Sequence, residues 1–183
     1  MAVKTVWTKQ HESVLTRLEQ TGRYTATRSG ILNSEEARLK MTCYSWLAQA
    51  MPQHHRPPDA EFPVWLSLEQ AHTMIPSPHT VVLELEVDEA LITPVNEAKW
   101  STIANFSYLP SDSADERRHD ELLRRCGVSD QKAMMTPFYP AVRQEILHSW
   151  LRLFDDRVQV GGSFCDGLVW ELRREWLRAV RRP

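Results

Sequence analysis

The stretch from Thr80 to Val87, T-V-V-L-E-L-E-V, limits the possible folds more than any other part of the sequence. Its apolar residues recur at every second position, which is the period of an extended strand with one buried face. Glu84 and Glu86 alternate with them and therefore lie together on the opposite face, about 7 Å apart. That face is either exposed to solvent or part of a polar site, and the sequence leaves both possibilities open.

The composition is that of a folded domain. The chain has 183 residues, of which 42% are hydrophobic and 25% are charged. A chain of this length can bury roughly 70% of its extended surface. Seven tryptophans are expected mainly in the core, since each can bury on the order of 200 Å². We expect a single domain over residues 1–183, with a proline-rich loop at 52–61 and a basic tail at 173–183.

The charge gives only a weak indication of a partner. A formal net charge of −2 produces no overall attraction to phosphate backbones, which weakens a nucleic-acid interpretation without excluding it. The end of the sequence is locally basic and either contacts an anionic surface or is a solvated terminus. Its arginines are Arg173, Arg174, Arg178, Arg181 and Arg182.

Cysteine usage and hydropathy predict a cytoplasmic protein without membrane contact. Three cysteines without C-x-x-C spacing indicate neither a disulfide framework nor a zinc knot. The first residues lack the apolar core of a signal peptide, and no apolar run approaches the roughly 20 residues that span a bilayer. The sequence does not indicate an oligomeric state.

Strand and helix patterns alternate irregularly along the chain. Strands are predicted at Val3–Thr8, Phe62–Ser67, Thr80–Val87, Val158–Val160 and Leu168–Leu172. Helices are predicted from Lys9 to a C-cap at Gly22, from a start at Asn33 with Glu36 through an apolar stripe from Ala37 to Met51, at Glu97–Asn105, at Ser113–Cys126 with a Ser113–Glu116 capping box, and from Thr136 to Phe154. The order favours an α+β fold with packed helices on a mixed or antiparallel sheet of about five or six strands.

Standard catalytic and metal motifs are absent from the sequence. It contains no G-x-G-x-x-G, P-loop, H-E-x-x-H, G-x-S-x-G or EF-hand pattern. His54 and His55 are adjacent in a proline-rich loop, but zinc requires three or four convergent ligands, so we expect no metal.

The remaining candidates are polar or aromatic residues at strand ends, namely Thr8, Gln10, Trp65, Ser67, Asp166 and Glu171. Each has a structural alternative. Thr8 and Gln10 could cap the first helix, Trp65 could pack in the core, and the Glu84–Glu86 face could pair with basic residues of neighbouring strands.

Short motifs in a fixed order resemble a bacterial and phage family, the domain of unknown function numbered 3841. They are V-W-T-x-Q at Val6–Gln10, Y-x-W at Tyr44–Trp46, P-V-W at Pro63–Trp65, V-L-E-L-E-V, Trp100, Y-L-P at Tyr108–Pro110, Ser149-Trp150, and W-E-L at Trp170–Leu172. The resemblance implies a glutamine four residues before W-E-L, where this sequence has Asp166.

The order of polar strand ends is also loosely similar to ADP-ribosyltransferases. That similarity implies NAD as the cofactor, with Asp166 or Glu171 as the catalytic acid. It implies further that Thr8 and Gln10 contact the ribose or amide, that Tyr44 or Trp65 stacks on nicotinamide, and that Ser67 supports them. The alternative is a non-catalytic module that binds a protein or RNA through the charged helix, the proline-rich loop and the basic tail. An enzyme of this kind requires Thr8, Ser67 and an acid to converge on one hollow.

Overall fold

The structure, a computed structural model, describes residues 2–31 and 35–183, and the side chains of these except residues 30–31 and 35–39. Contacts divide the chain into two compact units. The first unit comprises Met1–Pro94 and Cys165–Pro183, and the second comprises Val95–Phe164. The assignment of residues 1–183 to one domain stays a prediction.

Six strands form one sheet and two short strands form another. The strands are β1 (Val3–His11), β2 (Arg23–Tyr24), β3 (Val64–Ser67), β4 (Thr80–Asp88), β5 (Thr93–Asn96), β6 (Cys165–Val169), β7 (Leu172–Arg173) and β8 (Leu177–Arg181). The large sheet has the order β5-β6-β3-β1-β4-β8, and β2 pairs with β7. The ladders β1–β3, β1–β4, β3–β6 and β4–β8 are antiparallel, which confirms the predicted α+β class and sheet.

The strand predicted from alternation, β4, is an inner strand of this sheet, between β1 and the edge strand β8. It pairs with β1 over nine residue pairs, from Val3 opposite Asp88 to His11 opposite Thr80. The four alternating apolar residues of β4 are buried to 1% exposure or less. Val6 and Leu66 lie on the same face of the sheet, by register, and are equally buried. This face forms the core of the first unit.

The helices are α1 (Glu12–Thr21), α2 (Arg28–Ile31), α3 (Glu35–Ala50), α4 (Glu97–Ala104), α5 (Ser113–Cys126), α6 (Asp130–Met135) and α7 (Pro140–Ser149). The helix start predicted at Asn33 lies outside the described residues. Gly22 ends α1 in the left-handed region at φ 80°, and its N–H donates to the carbonyl of Leu18, as the glycine signal predicts. The predicted capping box of α5 is wrong by one residue. Asp112 caps that helix by accepting from the N–H groups of Ala114 and Asp115.

Two further predictions are also wrong. The helix expected from Thr136 begins at Pro140, so Phe138 lies before the helix and is 78% exposed. Residues 158–160 form no strand, although Val158 is buried. The basic tail at 173–183 includes the strand β8.

The described residues contain no helix with the length and apolarity needed to cross a membrane. Among the same residues, no group of three or more histidine, cysteine or acidic side chains has an arrangement that could hold a metal ion. Cys43 is buried, Cys126 is exposed and Cys165 is partly exposed. Burial raises the pKa of the Cys43 thiol to about 12, which keeps it protonated.

Candidate functional site

The register of the sheet decides which of the predicted site residues meet. Ser67 lies opposite Trp7 on one side and opposite Asp166 on the other. Antiparallel partners share a face, so Trp7, Ser67 and Asp166 form one row across three strands. Thr8 follows Trp7 on β1 and therefore faces the other side of the sheet. Thr8 and Ser67 do not converge.

Thr8 has a structural role inside the sheet. Its side chain is buried, and its hydroxyl donates to the main-chain oxygen of Trp65 at 2.7 Å. The same oxygen of Thr8 accepts a hydrogen bond from the amide nitrogen of Gln10 at 2.8 Å. Neither residue caps α1, because the cap is His11, whose Nδ1 accepts from the N–H of Ser13. The expected ribose contacts are thus engaged with the protein itself.

Glu171 lies apart from the row that contains Asp166. It follows the end of β6, five residues beyond Asp166, which corresponds to about 16 Å along an extended chain. Tyr44 lies on α3, and Trp65 shares the sheet face of Ser67. The expectation of one hollow formed by Thr8, Ser67 and Glu171 is therefore wrong, while the roles of the individual residues stay predictions.

Glu171 instead lines an open surface depression of about 680 Å³ in the first unit. We call it the arginine depression, and its residues are Thr21, Gly22, Arg23, Glu171, Arg173, Arg174 and Glu175. Gly22 turns the chain from α1 into β2, and β2 pairs with β7 so that Arg23 lies opposite Arg173. The main-chain N–H of Arg174 donates to the carbonyl of Gly22 at 2.8 Å. This hydrogen bond joins the end of α1 to the segment that follows β7.

Two guanidinium groups hold the carboxylate of Glu171. Both Nε and Nη2 of Arg173 lie 2.7 Å from its Oε1, and Nε of Arg23 lies 3.6 Å from its Oε2. The Glu171 side chain is only 12% exposed. The hydrogen bond to Glu171 raises the pKa of Arg173, whose guanidinium also lies over the ring of Trp176 at 5.3 Å. The pair of Arg173 and Glu171 is thereby fixed in orientation.

Arg174 differs from the other arginines of the depression. Its side chain is exposed and has no hydrogen-bond or ion-pair partner among the described residues. Arg23, by contrast, also pairs with Asp59, and Arg173 has Glu175 within 3.6 Å. The depression therefore presents one uncompensated positive charge beside two compensated ones. Guanidinium groups in such positions bind phosphate and carboxylate groups through paired hydrogen bonds.

A second cluster of charged residues lies in the other unit and surrounds His119. The ring of His119 stacks on Tyr108 at 3.8 Å, and its nitrogens lie 2.8 Å from carboxylate oxygens of Asp130 and Glu145. Burial lowers the pKa of His119, but the hydrogen bonds to the two carboxylates outweigh burial and raise it overall. Every polar atom of this ring is engaged and the side chain is 3% exposed, so the cluster is structural.

Sequence reasoning did not identify either cluster. His119 lies within the charged helix predicted at Ser113–Cys126, and nothing in its spacing marks it as buried. The arginine depression depends on the pairing of Arg23 with Arg173, which are 150 positions apart in the sequence. The sequence indicates this depression only through Glu171 and the arginines of the tail at 173–183.

A comparison with known protein families identifies one match. The model of the family described as Domain of unknown function (DUF3841) matches residues 5–178. The chain belongs to this family. The DUF3841 match runs from β1 into β8 and includes all residues of the arginine depression. No curated protein and no solved structure matches the chain.

Proposed function

We propose that this DUF3841 domain binds a small phosphate-bearing ligand of the nucleotide class in the arginine depression. The observation that supports the proposal is the grouping of Arg23, Arg173 and Arg174 around one concavity, with Arg174 unpaired among the described residues. The volume of the concavity falls within the range of about 300–1,000 Å³ that is usual for small-ligand sites. Its open shape and arginine lining favour an anionic ligand over an apolar one.

Each residue has a distinct part in this proposal. Arg174 binds a phosphate group directly, since no acid among the described residues pairs with it. Arg173 is held in place by Glu171 and directs its remaining N–H groups toward the same anion. Nε of Arg23 lies 3.6 Å from the second oxygen of Glu171, which is too far for a hydrogen bond. This oxygen can therefore accept a hydrogen bond from a sugar hydroxyl. The ligand therefore combines an anionic group with a hydroxyl-bearing one.

NAD is the first nucleotide to test, and an NAD-using transferase of the ADP-ribosyltransferase type is a narrower form of the proposal. Its support is that Glu171, one of the two predicted acids, lies in the arginine depression. A carboxylate at that place could stabilise positive charge developing on the ribose. Asp166, Thr8, Gln10, Tyr44, Trp65 and Ser67 do not line the depression. The transferase form thus depends on Glu171 alone.

Isothermal titration with ADP, NAD, inorganic phosphate and adenosine tests the proposal. We expect ADP and NAD to bind saturably, inorganic phosphate to bind more weakly, and adenosine to bind at least tenfold more weakly than ADP. Equal binding of adenosine and ADP, or saturation by none of the four, contradicts the proposal. Release of nicotinamide from NAD by the wild-type protein, lost in Glu171→Gln, would support the transferase form; binding without release supports a non-catalytic module.

A further inference from the structure

The strand β8 is an open edge of the large sheet. It is last in the strand order and pairs with β4 through Arg181 opposite Val82, Val180 opposite Leu83 and Ala179 opposite Glu84. Among the described residues, no backbone hydrogen bond from a loop or turn reaches residues 178–181. In an antiparallel sheet, half of the main-chain donors and acceptors of an edge strand point away from its neighbour. This row is available for pairing with another extended segment.

The edge carries positive charge on exposed side chains. Arg178 pairs with Glu86 of β4 at 2.7 Å. Arg181 and Arg182 are exposed and have no ion pair within the part of the chain that the structure describes. Glu84 accepts a hydrogen bond from the uncharged indole of Trp7 and keeps its negative charge. Arg178, Arg181 and Arg182 outnumber Glu84 and Glu86 by one, so the excess of positive charge lies at Arg181 and Arg182.

Charge and shape together disfavour pairing of this edge with a second copy of itself. Antiparallel pairing of two β8 strands would bring their arginines close together, and like charges in such positions are destabilising. The extra residue Arg178 forms a bulge between Ala179 and Leu177, and bulges and charged residues are common devices against edge-to-edge association. A partner with acidic side chains meets no such repulsion.

The two sides of β8 differ in a way that specifies the pattern of a partner strand. Leu177 and Val180 lie opposite Leu85 and Leu83 on the core face and are only partly exposed. Ala179 and Arg181 lie on the other face and are exposed. A strand added here would continue the core face with apolar residues and would place its alternate residues beside Arg181.

We propose that the β8 edge binds an extended acidic peptide segment of a partner protein by strand addition, with apolar and acidic residues alternating. Main-chain hydrogen bonds supply part of the affinity and the arginines select the charge of the partner. This surface is separate from the arginine depression, because Arg178, Arg181 and Arg182 do not line that depression. The two proposals therefore stand or fall independently.

The test uses the full chain and a fluorescent octapeptide of alternating valine and glutamate, followed by fluorescence anisotropy. We expect saturable binding of this peptide and at least tenfold weaker binding of the valine–lysine analogue. The double variant Arg181→Glu, Arg182→Glu should weaken binding about tenfold, because it reverses the two exposed charges that attract the acidic peptide. Arg117→Glu, at an exposed arginine of α5, is the matched charge-reversal control and should leave the affinity unchanged.

Two further measurements distinguish strand addition from simple charge attraction. The valine–glutamate octapeptide with N-methyl groups at alternate main-chain nitrogens should bind at least tenfold more weakly than the unmodified octapeptide. The methylated nitrogens cannot donate main-chain hydrogen bonds. Hydrogen exchange should show protection at residues 178–181 when the unmodified peptide is bound. Equal binding of the N-methylated peptide, no protection in this segment, or equally strong competition by an RNA oligonucleotide of the same charge would overturn the proposal.

Discussion

Arg173 and Glu171 lie on either side of Leu172 in the sequence and form a two-point ion pair, with Nε and Nη2 of Arg173 each 2.7 Å from one carboxylate oxygen. The pair borders the arginine depression and also a smaller hollow formed with His55, Leu91, Val169, Trp170 and Trp176. One ion pair thus shapes two adjacent concavities of the first unit.

Replacing Glu171 with glutamine should change binding and stability in opposite directions. Without the carboxylate, the charges of Arg173 and Arg23 are less compensated, so inorganic phosphate should bind severalfold more tightly. The free energy of unfolding should fall by about 1–2 kcal/mol, because a largely buried charge-assisted hydrogen bond is weakened. Titration calorimetry and urea unfolding measure the two effects. The control is Glu175→Gln at a side chain that is 71% exposed, and identical behaviour of the two variants would contradict this role for Glu171.

The hydroxyl of Thr8 should matter for stability and not for ligand binding. Thr8→Val removes the hydroxyl that donates to the main-chain oxygen of Trp65 and accepts from the amide of Gln10, which should lower the free energy of unfolding by about 1–3 kcal/mol. Thr5→Val, at an exposed position of the same strand, should change it by less than about 0.5 kcal/mol. Urea unfolding measures both. A Thr8→Val protein with wild-type stability and weakened ADP binding would restore Thr8 as a ligand contact.

The cluster around His119 should make stability depend on pH. The groups that face His119 are Asp130, Glu145, Tyr108 and, through Glu145, Arg118 of its own helix. Because the folded-state pKa is raised, the stabilisation is fully present below the unfolded value of about 6.5 and is lost as the pH rises through the folded pKa. The wild type should therefore lose stability relative to His119→Gln between pH 6 and pH 9.

Thermal unfolding of the wild type and of His119→Gln across this pH range measures the difference. The control is His148→Gln, at an exposed histidine of α7, which should follow the wild type at every pH. A difference in unfolding temperature between the wild type and His119→Gln that stays constant from pH 6 to pH 9 would contradict this prediction. It would show that protonation of His119 does not stabilise the fold.

The sequence predicts those parts of the fold that depend on local periodicity. The alternation in Thr80–Val87 identifies β4 and its buried face, and Gly22 identifies the end of α1. The strand β8 is not predicted from alternation. Arg178 is an extra residue between Leu177 and Ala179, and it breaks the period of two.

The candidate site could be predicted only in part, since it depends on register between distant segments. Glu171 was identified from a motif, and its nearest basic neighbour Arg173 is two residues away. That Arg23 lies opposite Arg173 follows from the β2–β7 pairing, for which the sequence carries no local signal. Likewise, a shift of one residue decides whether Thr8 or Trp7 shares a face with Ser67.

The affinity for ADP of the wild type, Arg174→Ala and Arg182→Ala tests the central claim most directly. Arg174 lines the arginine depression, whereas Arg182 is an exposed arginine outside it. We predict that ADP binds the wild type and Arg182→Ala with the same dissociation constant, and that Arg174→Ala binds roughly tenfold more weakly, about 1.4 kcal/mol. Equal affinities for all three proteins, or an equal loss in both variants, would contradict the assignment of the ligand to this depression.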